Sequence, residues 1–184
     1  GRWITHTHEV LNGLTRVRAD TVQIELSTQS FRVSGDPARL AERDAAVASR
    51  EVLLRWLKEK TVDNERQQAN WVQLRQVIDE RLVISRRVEA LRKEQGQEAA
   101  NAFVATAPLQ ETRNRTYRTL HDMEVLERGL LETRRAMQSN LRLRMLVTGT
   151  LANSGLLIAS FATLCQPPLS LVKITIVFPV SFNS

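Results

Sequence analysis

Residues 3–31 read WITHTHEVLNGLTRVRADTVQIELSTQSF. Trp3, Thr7, Val10, Leu14, Val17, Thr21, Ile24, Thr28 and Phe31 follow one another at alternating steps of four and three. A helix turns once per 3.6 residues, so such steps keep all nine side chains on one stripe. The stripe predicts a long helix that buries one face in a bundle. Ser34-Gly35-Asp36-Pro37 ends it: Gly35 accepts positive φ as a terminator, Asp36 can cap the next helix, and Pro37 suits its first turn.

The same spacing continues along the chain. A second helix over about 37–60 is expected to turn Leu40, Val47, Leu54 and Leu57 inward, with Ala41, Ala45 and Ala48 beside them. Thr61-Val62-Asp63-Asn64 supplies a turn and a cap. A third helix over about 65–95 places Leu74, Val77, Ile84, Val88 and Leu91 on its seam, flanked by Trp71, Ile78 and Leu82. Gly96 punctuates it, and a short amphipathic piece follows from about Ala99 to Thr106. Pro108 opens a last helix over about 108–144, with Thr116, Leu120, Met123, Leu130, Met137 and Leu141 on its stripe. Four helices joined by short turns alternate in direction, which predicts an all-α, up-down-up-down four-helix bundle over residues 1–144.

Charge separates this region from the remainder of the chain. The protein has 184 residues and a formal net charge of +6, yet all 20 acids and 25 of the 26 bases lie before residue 145. Acids and bases interleave throughout the bundle region, whereas a phosphate-binding stripe would gather bases on one face, so nucleic acid is excluded as the expected partner. From Met145 to Val172, 28 consecutive residues carry no charge. At about 1.5 Å per residue, residues 145–165 suffice to cross a hydrocarbon core of about 30 Å, and they read as a transmembrane helix that continues the last helix. Gly149, Asn153, Ser154 and Gly155 are tolerated where helices pack in a bilayer. A buried core helix is the alternative. Gln166-Pro167-Pro168 ends the span, and residues 166–184 read as an irregular tail. The chain opens Gly1-Arg2-Trp3-Ile4, without an initiator Met, which predicts a piece of a longer protein.

Several short motifs occur in a telling order. They are Trp3 with Thr5-His6-Thr7-His8-Glu9-Val10-Leu11, Ser34-Gly35-Asp36 with Leu40, Asp63-Asn64 with Gln67, and Met123 through Glu127 with Leu130-Leu131 and Arg134. Together they resemble the third class of CHASE domain, a helical sensory module of bacterial membrane receptors, over about residues 3–140. The chain departs from that pattern at Gln29-Ser30-Phe31-Arg32 and at Ala107-Pro108-Leu109. The resemblance implies a periplasmic or extracellular domain, residues 1–144, held at the bacterial inner membrane between two spans, the first lying upstream of Gly1. It further implies a cytoplasmic histidine kinase or diguanylate cyclase output in the full-length protein, with no catalysis in this piece.

The residues themselves offer little chemistry. His6 and His8 are two apart and so face different sides of a helix, and His121 is remote, so no metal site is expected. Cys165 has no His or acid beside it to activate it. No phosphate loop or nucleophile elbow occurs, and neither a catalytic group nor a cofactor is expected. More telling are charges that fall on apolar stripes: Glu127 and Arg134 on the last helix, and Arg81 on the third. A buried charge needs a partner. With the first and last helices antiparallel, Glu127 comes opposite roughly Arg18, and across its other neighbour it approaches Arg75. A Glu127–Arg18 or Glu127–Arg75 pair is therefore expected, inside the bundle or at a dimer seam; the alternative is that these side chains snorkel to the stripe's edge.

Function is expected to come from continuity. A shift of the outer part of the last helix moves its membrane part, and intersubunit motion calls for a homodimer. Any ligand, of unknown identity, acts by its different affinity for two packings. One feature opposes this orientation. Arg134, Arg135, Arg142 and Arg144 precede the span and only Lys173 lies beyond it, whereas positive charge prefers the cytoplasmic flank. That bias favours an intracellular, tail-anchored helical interaction protein. A soluble basic bundle and the four-helix ligand-binding module of chemotaxis receptors are further alternatives.

Overall fold

A computed structural model describes the backbone of residues 2–164 and the side chains of residues 4–145. Five helices occur among these residues: α1 (Arg2–Ser34), α2 (Pro37–Lys60), α3 (Glu65–Gln95), α4 (Gln97–Thr106) and α5 (Leu109–Leu164). Residues through Ala136 form one compact unit, and α5 beyond that point belongs to another.

The turns are set by local chemistry. Gly35 takes φ +71° and returns its N–H to the Phe31 carbonyl at 2.7 Å, a left-handed closure of α1 that costs glycine little. Asp36 then caps α2, accepting from the Ala38 N–H at 2.9 Å, with Pro37 at the first helical position. Asp63 lies in the turn before α3, and Asn64 caps that helix by accepting from the Gln67 N–H at 3.1 Å. Gly96, at φ +89°, separates α3 from the short α4.

Contacts along the bundle fix the helix directions. Glu9 meets Lys60 and Thr21 meets Arg50, so α1 and α2 are antiparallel. Leu54 meets Trp71 and Arg43 meets Glu89, so α2 and α3 are antiparallel. Gln67 meets Glu127 and Glu80 meets Arg115, which makes α3 and α5 antiparallel, and Arg18 meets Glu124 while Glu25 meets Arg113, which makes α1 and α5 so. The four long helices therefore alternate in direction through Ala136. The main apolar layer gathers Val10, Leu14, Val17, Leu54, Leu57, Leu74, Ile78, Leu120 and Met123, all shielded from solvent. Each contributes about 1.5–3 kcal/mol by burial, which holds the bundle against the entropy of ordering it. A smaller cluster joins Val88 and Leu91 of α3 to Ala100 of α4.

Two expectations need correction. Ala41, Ala45 and Ala48 are exposed, and the inner face of α2 instead takes Leu40, Arg43, Ala46, Arg50, Leu53, Leu54 and Leu57. The strict alternation of three and four from Leu40 runs through Arg43, Val47 and Arg50 to Leu54 and Leu57, so the backbone turns both arginines inward. On α5, Leu131 is buried where Leu130 was expected, and Met137 and Leu141 are 63% and 57% exposed. Among the described residues no helix is long and apolar enough to cross a membrane. The expected span over 145–165, beyond its helical backbone through Leu164, and the expected tail over 166–184 lie outside the described residues.

Removing the Asn64 side chain leaves the Gln67 N–H unsatisfied at the start of α3. Asn64→Ala is expected to lower unfolding stability by about 1 kcal/mol, read from the chain's chemical denaturation midpoint.

Candidate functional site: a cationic cavity in the bundle

Two arginines on the inner face of α2 are fully enclosed, Arg43 at 0% and Arg50 at 1% exposure. A guanidinium removed from water needs carboxylates and hydrogen bonds to offset its desolvation. Arg43 has them. Its Nη2 lies 2.6 Å from Glu89 and 2.9 Å from Asp44, and its Nη1 donates weakly to Ser85 Oγ at 3.5 Å. Partial burial works to raise the Glu89 carboxyl, but hydrogen bonds from Lys93 and Arg43 hold it below the usual range.

Arg50 lacks them. Its Nη1 donates to Thr21 Oγ1 at 3.4 Å, and Thr21 in turn donates to the Val17 carbonyl at 2.8 Å. Its Nε and Nη2 are buried with no hydrogen-bond partner among the described residues. Glu51, Asp20 and Asp79 favour its charge from a distance and Arg75 opposes it, yet burial outweighs them and pushes the Arg50 pKa down to about 10. Because this value lies below that of the unfolded chain, the group costs stability at every pH below about 10, and the cost fades only above it.

Arg50 borders a cavity of about 270 Å³ walled by all five helices. Four arginines line it, Arg32, Arg50, Arg81 and Arg113, against the single carboxylate of Glu25. Glu25 is already shared: Arg81 Nη2 bonds one oxygen, and Arg113 Nη2 lies 3.0 Å from the other. Arg81 also donates to the Leu109 carbonyl at 3.1 Å and to Thr112 Oγ1 at 2.9 Å, tying α3 to the start of α5. Burial lowers the Arg81 pKa, with Glu25 opposing that shift. Thr28 and Ser85 hydroxyls bond each other across the wall at 2.7 Å. Apart from Gln29, the remaining wall is apolar, from Ile24, Leu82, Ile84, Val88, Val104 and Leu109.

The charges singled out from the sequence lie elsewhere. Glu127 is 2% exposed, but the donor it meets is Gln67 Nε2 at 2.8 Å, with neither Arg18 nor Arg75 in contact. Arg18 pairs with Glu124 at 3.0 Å and stacks on Tyr117, one turn of α5 away from the expected partner. Arg75 pairs with Glu51 of α2 and Asp79 of its own helix. Helix rotation explains the difference: Glu127 faces α3 at the level of its first turn, where Gln67 projects. Arg134 donates to Thr7 Oγ1 at 3.3 Å. His8 and His121 are exposed, and no group of three His, Cys, Asp or Glu among the described residues could hold a metal ion. Cys165 lies outside the described residues.

The motif order that resembled a sensory module over residues 3–140 coincides with this bundle, and the family model of the CHASE3 domain matches residues 1–137. The chain belongs to the CHASE3 family. The bundle of this CHASE3 domain is also similar in fold to the crystal structure of the sensor domain of histidine kinase HK9 from Rhodopseudomonas palustris. That likeness has a TM-score of 0.65 at 20% identity and covers 68% of this chain and 98% of that one. No curated protein matches the chain.

The two arginines should answer differently to an apolar replacement of similar length. Arg43→Met leaves Glu89 short of a partner and is expected to cost about 1–3 kcal/mol in a thermal melt. Arg50→Met removes a buried charge that no carboxylate contacts directly, so the expected midpoint is unchanged or higher.

Proposed function

We propose that this CHASE3 domain is the extracytoplasmic sensory part of a bacterial membrane receptor with a histidine kinase or diguanylate cyclase output. The observation that carries the proposal is the family match over residues 1–137, followed within ten residues by an uncharged run of 28. In this reading residues 145–165 span the membrane and the domain works as a homodimer. A change in bundle packing reaches the output as motion of the last helix. The bundle senses and transmits, and the chemistry resides in the output domain. The fold shared with a histidine kinase sensor domain supports the same assignment.

A small movement suffices, because a helix transmits displacement along a continuous ladder of backbone hydrogen bonds. Rotation, sliding and scissoring between two copies all use that ladder. The four arginines that precede the uncharged run favour the second reading, an intracellular tail-anchored protein, on the rule that positive charge stays in the cytoplasm. Orientation therefore discriminates the two.

In the full-length protein carrying Cys165→Ser, a cysteine at the exposed position Val83 is expected to react with a membrane-impermeant maleimide on intact cells. Labelling only after permeabilisation would establish the tail-anchored reading instead. Coupling has its own test. Gln138→Gly with Asn140→Gly weakens α5 by about 0.3–0.6 kcal/mol per residue without touching the bundle core. The double variant is expected to lose signal-dependent output in the full-length receptor while the bundle's melting midpoint stays constant. A normal response would sink transmission through this helix.

A further inference from the structure

We propose that the cavity beside Arg50 binds the carboxylate of a small organic acid with an apolar body, Arg50 and Arg81 facing its charge. The proposal deepens the sensory reading and rests on it, by naming the class of ligand such a domain would detect.

The first argument is geometric. Arg50 Nε and Nη2 are both buried and both without a protein partner, and they are the two donors on one side of the guanidinium plane. That edge presents parallel N–H bonds at the spacing of two carboxylate oxygens, the bidentate arrangement for which arginine is suited and lysine is not. A buried donor left unbonded is costly, so a residue held this way is either a defect or half of a binding site.

Charge is the second argument. Four arginines line the cavity against Glu25, whose two oxygens are taken by Arg81 and Arg113. Of the acids that favour Arg50 from further off, Glu51 Oε2 and Asp79 are engaged by Arg75, while Glu51 Oε1 and Asp20 Oδ2 are buried without a hydrogen bond and offset part of the Arg50 charge through space. The wall itself therefore carries more positive than negative charge, which favours an anion.

The apolar wall decides which anion. Ile24, Ile84, Val88 and Leu109 form much of the wall, and an inorganic phosphate or sulfate would satisfy Arg50 while leaving them facing water. An acid with a hydrocarbon body satisfies both, the pattern of an apolar pocket with a few convergent polar groups. Since all five helices contribute to the wall, such a ligand touches α2, α3 and α5 at once, and a bundle that closes on it differs in packing from one that does not.

The experiment is a calorimetric titration of the full 184-residue chain in detergent with three probes: hexanoate, its uncharged analogue hexanamide, and inorganic phosphate. Hexanoate is expected to bind saturably, and hexanamide and phosphate at least tenfold more weakly. Arg50→Met is expected to weaken hexanoate binding by about 10- to 100-fold, the value of one charged bidentate contact. Val104→Phe, which fills the cavity from the short α4 and keeps every arginine, is expected to weaken it as well and guards against a folding defect in the first variant. Absence of saturable hexanoate binding, equal binding of hexanamide, or unchanged affinity in both variants would overturn the site. Preference for phosphate would overturn the apolar-acid assignment. None of these results bears on membrane orientation or on coupling through α5, so failure of the ligand class is distinct from failure of the sensory reading.

Discussion

A helix stripe that advances by three and four cannot skip a position. On α2 the register from Leu40 to Leu57 passes through residues 43 and 50, and both are arginine. Packing the leucines against α1 and α3 carries the two guanidinium groups into the interior whether or not partners await them. The rest of the structure arranges itself around that consequence. Arg43 meets Asp44, Glu89 and Ser85 near the end of the bundle where those side chains converge. Seven residues further on, Arg50 meets one threonine hydroxyl at long range and otherwise borders a cavity.

The bundle is thereby divided along its length. Toward the start of α1 the core is mainly apolar, with Leu14, Leu57, Leu74 and Met123 in one cluster, Trp71 anchoring its indole N–H to the Leu54 carbonyl at 2.8 Å, and Gln67 and Glu127 as a buried polar pair. Toward the end of α1 the interior turns polar, with Thr21, Thr28, Ser85 and the arginines replacing aliphatic side chains. Close-packed apolar layers resist rearrangement, because any gap forfeits contacts outright.

How much of this could be read from residue order differs by feature. Gly35, Asp36, Pro37 and Asn64 were legible because each acts on backbone groups within a turn of itself. The alternation of helix directions was legible because turns this short leave no other path. Arg43 and Arg50 carried a signal too, in the unbroken spacing of α2, but the expectation that charge faces water took the exposed alanines for the inner face instead. Glu127 lies on a buried face of α5 and meets Gln67, since the rotation of α5 about its axis decides which side chain lies opposite.

From residue order alone came the helix lengths, their caps, their alternating directions and the family resemblance, because hydrophobic spacing and capping are expressed in the backbone within one or two turns. The tertiary structure decided which charges pair, which arginine is left without a carboxylate and where a cavity opens. Those outcomes depend on the rotation and axial offset of helices whose contacting residues lie tens of positions apart, as with Arg43 and Glu89 or Arg81 and Glu25. No local pattern encodes that offset; it is set by the fit of side chains across the whole interior.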